Sequence, residues 1–126
     1  MQVLKTRWFA RFARQEKIAD AGLREAIERA ERGLVDADLG GGLIKQRVAR
    51  RGQGRSGGYR VIVAYRAENR AIFLFGFAKS ERKNIGSDEL VFLRELAKNW
   101  LAADHAKIRK EIETGNLQEI DDDEKT

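Results

Sequence analysis

Three consecutive runs with β-strand character constrain the fold of this chain more than any other feature. They lie between Gly40 and Asn84, and their bounds are residues 43–50, 59–66 and 70–78. The third run, RAIFLFGFA, is apolar on both faces, and alternation places Phe73, Phe75 and Phe77 together on one of them. Such a run is typical of a central strand that is covered on both sides. The three runs therefore predict a small antiparallel sheet.

Helical periodicity precedes this sheet. Trp8 and Phe12 lie four residues apart and predict a first helix over about residues 7–17, although strand alternation remains a rival interpretation of the same segment. Asp20 is a suitable N-cap for a second helix, which we expect to end near Gly33.

A third helix follows the sheet. Ser87 is its expected N-cap, and the apolar stripe can be followed as far as Gly115. Residues 2–6 and 117–120 have the character of short edge strands, and residues 35–39 are expected to form a connector.

The 126 residues can build one hydrophobic core, so we predict one domain. Its predicted fold is α+β, with a small antiparallel or mixed sheet of about four strands packed with an N-terminal helix pair and a C-terminal helix. We assign residues 1–115 to this domain and expect residues 116–126, which are rich in acids, to be a disordered tail. The chain has no cysteine and no apolar run of membrane-spanning length, so we expect a cytoplasmic protein.

Positive charge is concentrated in the strand region. The formal net charge of the chain is +5, yet between Gly40 and Asn84 eleven cations face only Glu68 and Glu81 as acids. The cations are Lys45, Arg47, Arg50, Arg51, Arg55, Arg60, Arg66, Arg70, Lys79, Arg82 and Lys83. This excess is larger than solubility requires and indicates a polyanion as the partner.

We expect Lys45, Arg47 and Arg60 to contact phosphates, because they lie on predicted strands of the basic sheet. Further RNA contacts are expected from Arg50, Arg51, Arg55, Tyr59, Tyr65 and Lys83. The two tyrosines could stack on bases, but they could equally be core or cross-strand residues.

Other kinds of site receive little support from the sequence. Gly52, Gly54 and Gly57 match G-x-G-x-x-G, but a strand follows them where a dinucleotide fold needs a helix, so a hairpin turn is favoured. His105 is the only histidine, and without cysteine it cannot build an ordinary zinc site. We predict neither a metal nor a cofactor.

The cations of the predicted strands also include groups that could cleave RNA. Cleavage of RNA needs a base for the 2′-hydroxyl proton, cations around the phosphate and an acid for the leaving oxygen. A lysine among arginines is less strongly held in its charged form and can act as such a base. Lys45 beside Arg47 offers this arrangement.

The order of motifs resembles the RelE/HigB toxins of bacterial type II toxin–antitoxin systems, within the RelE/ParE superfamily. The resemblance rests on DADLGGGLIKQRVAR, GGYRVIVAYR and AIFLFGFAKSERKNI and extends from about Leu4 to about Leu101. It implies a compact sheet with helices on one face. It also implies metal-independent, ribosome-dependent endoribonuclease activity on mRNA that inhibits translation, and a cognate antitoxin of the helix-turn-helix type.

The resemblance also suggests roles for individual residues. Lys45 and Arg47 match the paired cations of the family's basic strand, a base and a phosphate ligand, and Arg60 matches the arginine that contacts the scissile phosphate. Lys79 and Arg82 match the basic turn after the apolar strand. The five predicted catalytic residues are thus Lys45, Arg47, Arg60, Lys79 and Arg82.

The chain departs from the RelE pattern at two positions, where Ser80 replaces an arginine and Ile85 replaces a tyrosine that serves as the acid. The acid is therefore unassigned, with Tyr65 and Arg82 as candidates. Two other functions stay open: a ParE-like toxin that inhibits DNA gyrase, and a non-catalytic RNA-binding module.

Overall fold

The computed structural model describes residues 1–50 and 57–120. Within these residues, six strands form one sheet: β1 Gln2–Thr6, β2 Ala37–Gly40, β3 Leu43–Val48, β4 Tyr59–Arg66, β5 Arg70–Ala78 and β6 Leu117–Glu119. Four helices accompany the described strands: α1 Arg7–Glu16, α2 Asp20–Glu31, α3 Ser87–Ala102 and α4 His105–Glu113. The predicted α+β class is confirmed.

The sheet is mixed, and its strand order is β2-β3-β4-β5-β1-β6. The pair of β1 and β5 is parallel, and the other neighbouring pairs are antiparallel. The sheet exceeds the predicted four strands partly because residues 37–40 form β2 instead of a connector. Gly40, Gly41 and Gly42 all have positive φ, which lets the chain reverse tightly and pair β2 with β3.

The two ends of the chain meet in the sheet. Residues 2–6 were expected at an edge, but β1 lies between β5 and β6, because the last strand pairs with its outer side. The expected strand at residues 117–120 is confirmed as the edge strand β6, Leu117–Glu119. Ile120 is buried against the core, so order extends beyond the predicted domain boundary at residue 115. Residues 121–126, the remainder of the predicted tail, lie outside the described residues.

Helices cover both faces of the sheet, whereas the resemblance implied one. Helices α1 and α2 pack on the face that carries Val61 and Val63 of β4, which we call the α1/α2 face. Helices α3 and α4 pack on the face that carries Ile62 and Ala64, the α3/α4 face. Both layers are needed because the central strands are buried on both sides.

One irregularity changes the expected faces of β5. The register between β4 and β5 shifts between Ile62 and Val63, which pair with Phe75 and Phe73. Phe73 therefore packs in the α1/α2 core, while Phe75 packs on the α3/α4 face. The prediction that Phe73, Phe75 and Phe77 share a face was wrong, because a β-bulge interrupts the alternation.

Helix boundaries differ from the predicted ones at three points. Ala19 and not Asp20 is the N-cap of α2, and Asp20 instead pairs with Lys5 at 2.9 Å. Gly86 and not Ser87 caps α3, where its N–H donates to the Glu89 carboxylate at 2.8 Å.

The expected continuous helix to Gly115 is also broken, into α3 and α4. Ala103 is extended, and Asp104 caps the new helix by accepting a hydrogen bond from the Lys107 N–H at 2.8 Å. His105 therefore begins α4. No helix in the described part of the chain is long and apolar enough to cross a membrane.

Two cations of the strand region support the end of α3. Buried Arg70 donates from one guanidinium nitrogen to the carbonyls of Trp100 at 2.8 Å and Ala103 at 2.7 Å. Arg66, which is exposed, donates to the Leu101 carbonyl at 3.0 Å. Cations are favourable at a helix C-terminus, whose last carbonyls lack partners within the helix.

Replacing Arg70 with methionine should destabilise the protein. Arg70→Met keeps an apolar stem but leaves two carbonyls at the end of α3 without their charged donor. We expect the free energy of unfolding, measured by urea denaturation, to fall by about 2–3 kcal/mol. Arg66→Met is the matched control, with an expected loss of about 1 kcal/mol or less, because it removes one bond at an exposed site. Equal losses for the two variants would contradict this role for Arg70.

Candidate nucleic-acid interface

The strand register brings three predicted phosphate ligands together. Arg47 of β3 lies directly opposite Arg60 of β4, and Lys45 lies opposite Ile62. Residues paired across strands share a face, so all three cations project from the α3/α4 face. Lys45 and Arg60 are diagonal neighbours, whose separation in a sheet is about 7–8 Å. We call Lys45, Arg47 and Arg60 the cation triangle.

A buried glutamine fixes the strand that carries two of these cations. Gln46 is fully buried on the opposite face of β3, between Lys45 and Arg47. Its amide nitrogen donates to the carbonyls of Ala26 at 2.9 Å and Leu34 at 3.2 Å, and its amide oxygen accepts from the Asp36 N–H at 2.7 Å. Because these bonds tie β3 to α2, the flanking cations are held outward.

A second buried contact completes this attachment. Arg29 of α2 donates to the Arg47 carbonyl and forms ion pairs with Glu25 at 2.8 Å and Asp36 at 3.3 Å. The same Asp36 carboxylate accepts the Arg47 N–H at 2.7 Å. The carbonyl and the N–H of Arg47 are therefore both held by charged side chains.

Arg60 is the most enclosed member of the triangle, with 8% of its surface exposed. One guanidinium nitrogen lies 3.4 Å from the Tyr59 carbonyl, to which it donates. Burial and then the neighbouring Arg47 lower the pKa of Arg60 from its usual value. Arginine nevertheless stays protonated in proteins, so the site holds a fixed positive charge beside another.

The other two members are open to a ligand. Lys45 is partly exposed and donates to the Asn84 side chain at 3.3 Å, while Arg47 is exposed. No ion pair involves either side chain within residues 1–50 and 57–120. An anion bound here would relieve the repulsion between adjacent cations.

Arg82 lies beside the triangle but is already engaged. Its guanidinium lies over the rings of Phe75 at 5.9 Å and Phe77 at 5.4 Å. It also makes two hydrogen bonds to the Glu89 carboxylate, one of them 3.1 Å long. The bond from Arg82 lowers the pKa of Glu89 below its usual value. Nothing in the local sequence signals this contact, because the partners belong to a turn and to the next helix.

The predicted stacking residues lie on the other side of the sheet. Tyr59 is buried in the α1/α2 core, where its hydroxyl donates to the Glu16 carbonyl at 3.2 Å and burial raises its pKa. Tyr65 packs against the same core, and burial raises its pKa as well. Arg50 lies against the Tyr59 ring, 5.7 Å from its centre.

Of the remaining predicted residues, two lie in the turn after β5 and two lie outside the described part. Lys79 and Lys83 are exposed in the turn after β5. Arg51 and Arg55 lie outside the described residues. Sequence reasoning missed Gln46, although a polar residue between Ile44 and Val48 on an apolar strand face was a signal that could have found it.

The triangle is a fixed array of cations at the edge of the α3/α4 core. Fixed cations on a rigid strand pair can bind a phosphate and stabilise the extra charge of a pentacovalent phosphorus. Within the described residues, no group of three or more His, Cys, Asp or Glu side chains could hold a metal ion.

Comparison with known proteins agrees with this architecture. The family model described as the RelE toxin of the RelE/RelB toxin–antitoxin system matches residues 1–120. A search of curated proteins gave no match. The family match covers nearly the whole chain and implies a cognate antitoxin as partner. The chain therefore belongs to the RelE family of toxins from toxin–antitoxin systems.

Proposed function

We propose that this toxin is a ribosome-dependent endoribonuclease that cuts mRNA in the cytoplasm and is neutralised by an antitoxin of the helix-turn-helix type. The observation that carries the proposal is the cation triangle, in which Lys45 and Arg47 have no ion-pair partner among the described residues. Gln46 and the Arg47 backbone are hydrogen-bonded on the other side of β3, which holds the strand that carries Lys45 and Arg47 in place. This support favours a preorganised phosphate site.

The proposed reaction is attack of a ribose 2′-oxygen on the adjacent phosphorus. Lys45, in its neutral form, accepts the 2′-hydroxyl proton on Nζ. Arg47 and Arg60 donate to the non-bridging oxygens while the bond from phosphorus to the 5′-oxygen breaks. The products are a 2′,3′-cyclic phosphate and a 5′-hydroxyl end.

The proton for the leaving 5′-oxygen comes, in this proposal, from the ribosome–mRNA complex. Neither sequence candidate for the acid is suitably placed: Tyr65 packs on the α1/α2 face, and Arg82 is paired with Glu89. A proton supplied from outside the chain gives a chemical reason for dependence on the ribosome.

Removing two members of the triangle should abolish cutting. In Lys45→Met/Arg60→Met, methionine keeps much of the side-chain volume but removes the base and the enclosed phosphate ligand. We expect mRNA cleavage, mapped by primer extension after induced expression in bacteria, to fall by at least about 100-fold. Lys98→Met/Arg109→Met removes two exposed cations from α3 and α4 and should cut like the wild type.

Other outcomes of this experiment separate the alternatives. Growth arrest with intact mRNA would favour a ParE-like gyrase inhibitor. Binding of RNA without any cut by the wild type would favour a non-catalytic RNA-binding module. Thermal melting of each purified variant checks that a loss of cutting is not a loss of folding.

Neutralising Glu89 should release Arg82 for phosphate contact. In Glu89→Gln the ion pair is lost, so Arg82 can reach RNA from its place over Phe75 and Phe77. We expect about 3- to 10-fold tighter RNA binding at low salt, with a salt dependence steeper by about one phosphate contact. Glu95→Gln removes an exposed carboxylate from the same helix and is the control. If RNA affinity rises equally in Glu89→Gln and Glu95→Gln, release of Arg82 is not the cause of the increase.

A further inference from the structure

An apolar cleft adjoins the cation triangle on the α3/α4 face. It opens between α3, the end of β1 and the middle of β5 and has a volume of about 540 Å³. Its apolar lining includes Trp8, Leu74, Phe75, Phe92, Leu96 and Trp100. Both tryptophans of the chain are among these residues. The proposed cleavage reaction uses none of them.

The cleft contains aromatic surface that the fold leaves uncovered. Trp8 is 47% exposed and Phe92 is 63% exposed, although both line a largely apolar space. The Trp8 ring stacks on Phe75 at a centroid distance of 4.7 Å, and Phe75 lies 6.4 Å from Phe77. A row of three rings, which we call the aromatic shelf, therefore runs from buried Phe77 through partly buried Phe75 to exposed Trp8.

The aromatic shelf begins at the cation triangle. Phe77 lies opposite Arg60 in the sheet, and Phe75 lies opposite Ile62, the partner of Lys45. Phe77 itself is buried, and the Arg82 guanidinium lies over it and over Phe75, so a cation backed by aromatic rings lies between the triangle and the exposed ring of Trp8. The ring centroids lie 4.7 Å apart from Trp8 to Phe75 and 6.4 Å apart from Phe75 to Phe77, so the row spans no more than these two distances together.

Charge around the shelf also suits a polyanion. Arg7 lines the cleft, Arg11 is exposed on the following turn of α1, and Arg82 lies over the shelf. Glu89 is the acid that lines the cleft, and its carboxylate is paired with Arg82. The cleft is therefore apolar inside and cationic along its edge.

We propose that the cleft receives one unpaired base of the RNA strand whose phosphate occupies the cation triangle, with Trp8 as the stacking surface and Phe92 as the opposing wall. This inference rests on the proposed function, because it takes RNA as the polyanion. Single-stranded RNA is commonly bound by stacking of splayed bases on aromatic side chains next to cations. Base stacking at this position makes Trp8 and Phe92 determinants of which nucleotide is accepted beside the cut.

A protein segment is the other conceivable occupant of an apolar cleft. The observations favour a base because the shelf is continuous with the triangle through Phe75 and Phe77 and is crossed by Arg82. Val91, which is 64% exposed on α3, lies outside the cleft lining. The exposed apolar surface of α3 is therefore not all directed into one groove.

Tryptophan fluorescence tests the inference directly. In a Trp100→Phe background Trp8 is the only tryptophan, so its emission reports on the shelf. The probe is a single-stranded RNA hexanucleotide with 2′-O-methyl groups, which block the attacking oxygen, and a second probe has the same backbone without bases. We expect the first probe to quench Trp8 emission and the second to leave it unchanged.

Affinity for the same probe gives a second readout. Phe92→Ala should weaken binding about 5- to 140-fold, the range for loss of one stacked base. Val91→Ala is the matched control, since it lies next to Phe92 and is equally exposed but lies outside the cleft lining. In the host, Phe92→Ala should also change the base preference of the mapped cuts.

Each opposing result has its own meaning. Unchanged Trp8 emission together with equal RNA affinities of Phe92→Ala and Val91→Ala would overturn the inference. The proposed function would remain intact in that case if mRNA cleavage still depended on the cation triangle. Absence of cuts and of RNA binding in the wild type would overturn both. If Phe92→Ala instead prevents co-purification of the antitoxin and leaves RNA binding unchanged, the cleft belongs to a protein partner and the inference is wrong.

Discussion

The central strands β4 and β5 are buried on both faces, and the rest of the architecture depends on that constraint. A strand pair with no solvated side must be covered twice, so the chain places α1 and α2 on one face and α3 and α4 on the other. On the α3/α4 face, α3 packs over Leu43, Ile62 and Ala64. Further along the same strands, the rows that contain Arg47, Arg60 and Phe77 extend beyond this core and carry the candidate site.

The placement of Arg47 directly opposite Arg60 is unfavourable for folding, because like charges in cross-strand positions repel each other. Burial of Arg60 adds to the cost, as the lowered pKa of its guanidinium indicates. Gln46 bonds the loop before β2, and Arg29 bonds both Asp36 of that loop and the Arg47 carbonyl. These contacts offset the repulsion by holding β3 from its other face. A rigid array of cations is what a phosphate-binding surface requires, since little reorganisation is then needed when the anion arrives.

Strand alternation was sufficient to place Lys45 and Arg47 on one face of the predicted sheet, because that signal is local. The common face of Phe75 and the cation triangle could not be predicted, since a bulge opposite Ile62 shifts the alternation in β5. The break between α3 and α4 was missed because Ile108 continues the apolar spacing, although Asp104 is a recognisable cap. The pair of Arg82 and Glu89 depends on how a turn meets the following helix, which no local pattern encodes.

Several cations of the strand region are engaged in contacts within the fold. Arg66 and Arg70 support the end of α3, Arg50 lies against Tyr59 on the opposite face, and Arg82 is held by Glu89. Replacing one of these arginines removes a contact within the fold. A loss of activity in such a variant would therefore not by itself identify the arginine as an RNA ligand. Arg47 is different, because its side chain is exposed while its backbone is held by Arg29 and Asp36. A change at that side chain alters the charge of the site while the strand that carries it stays in place.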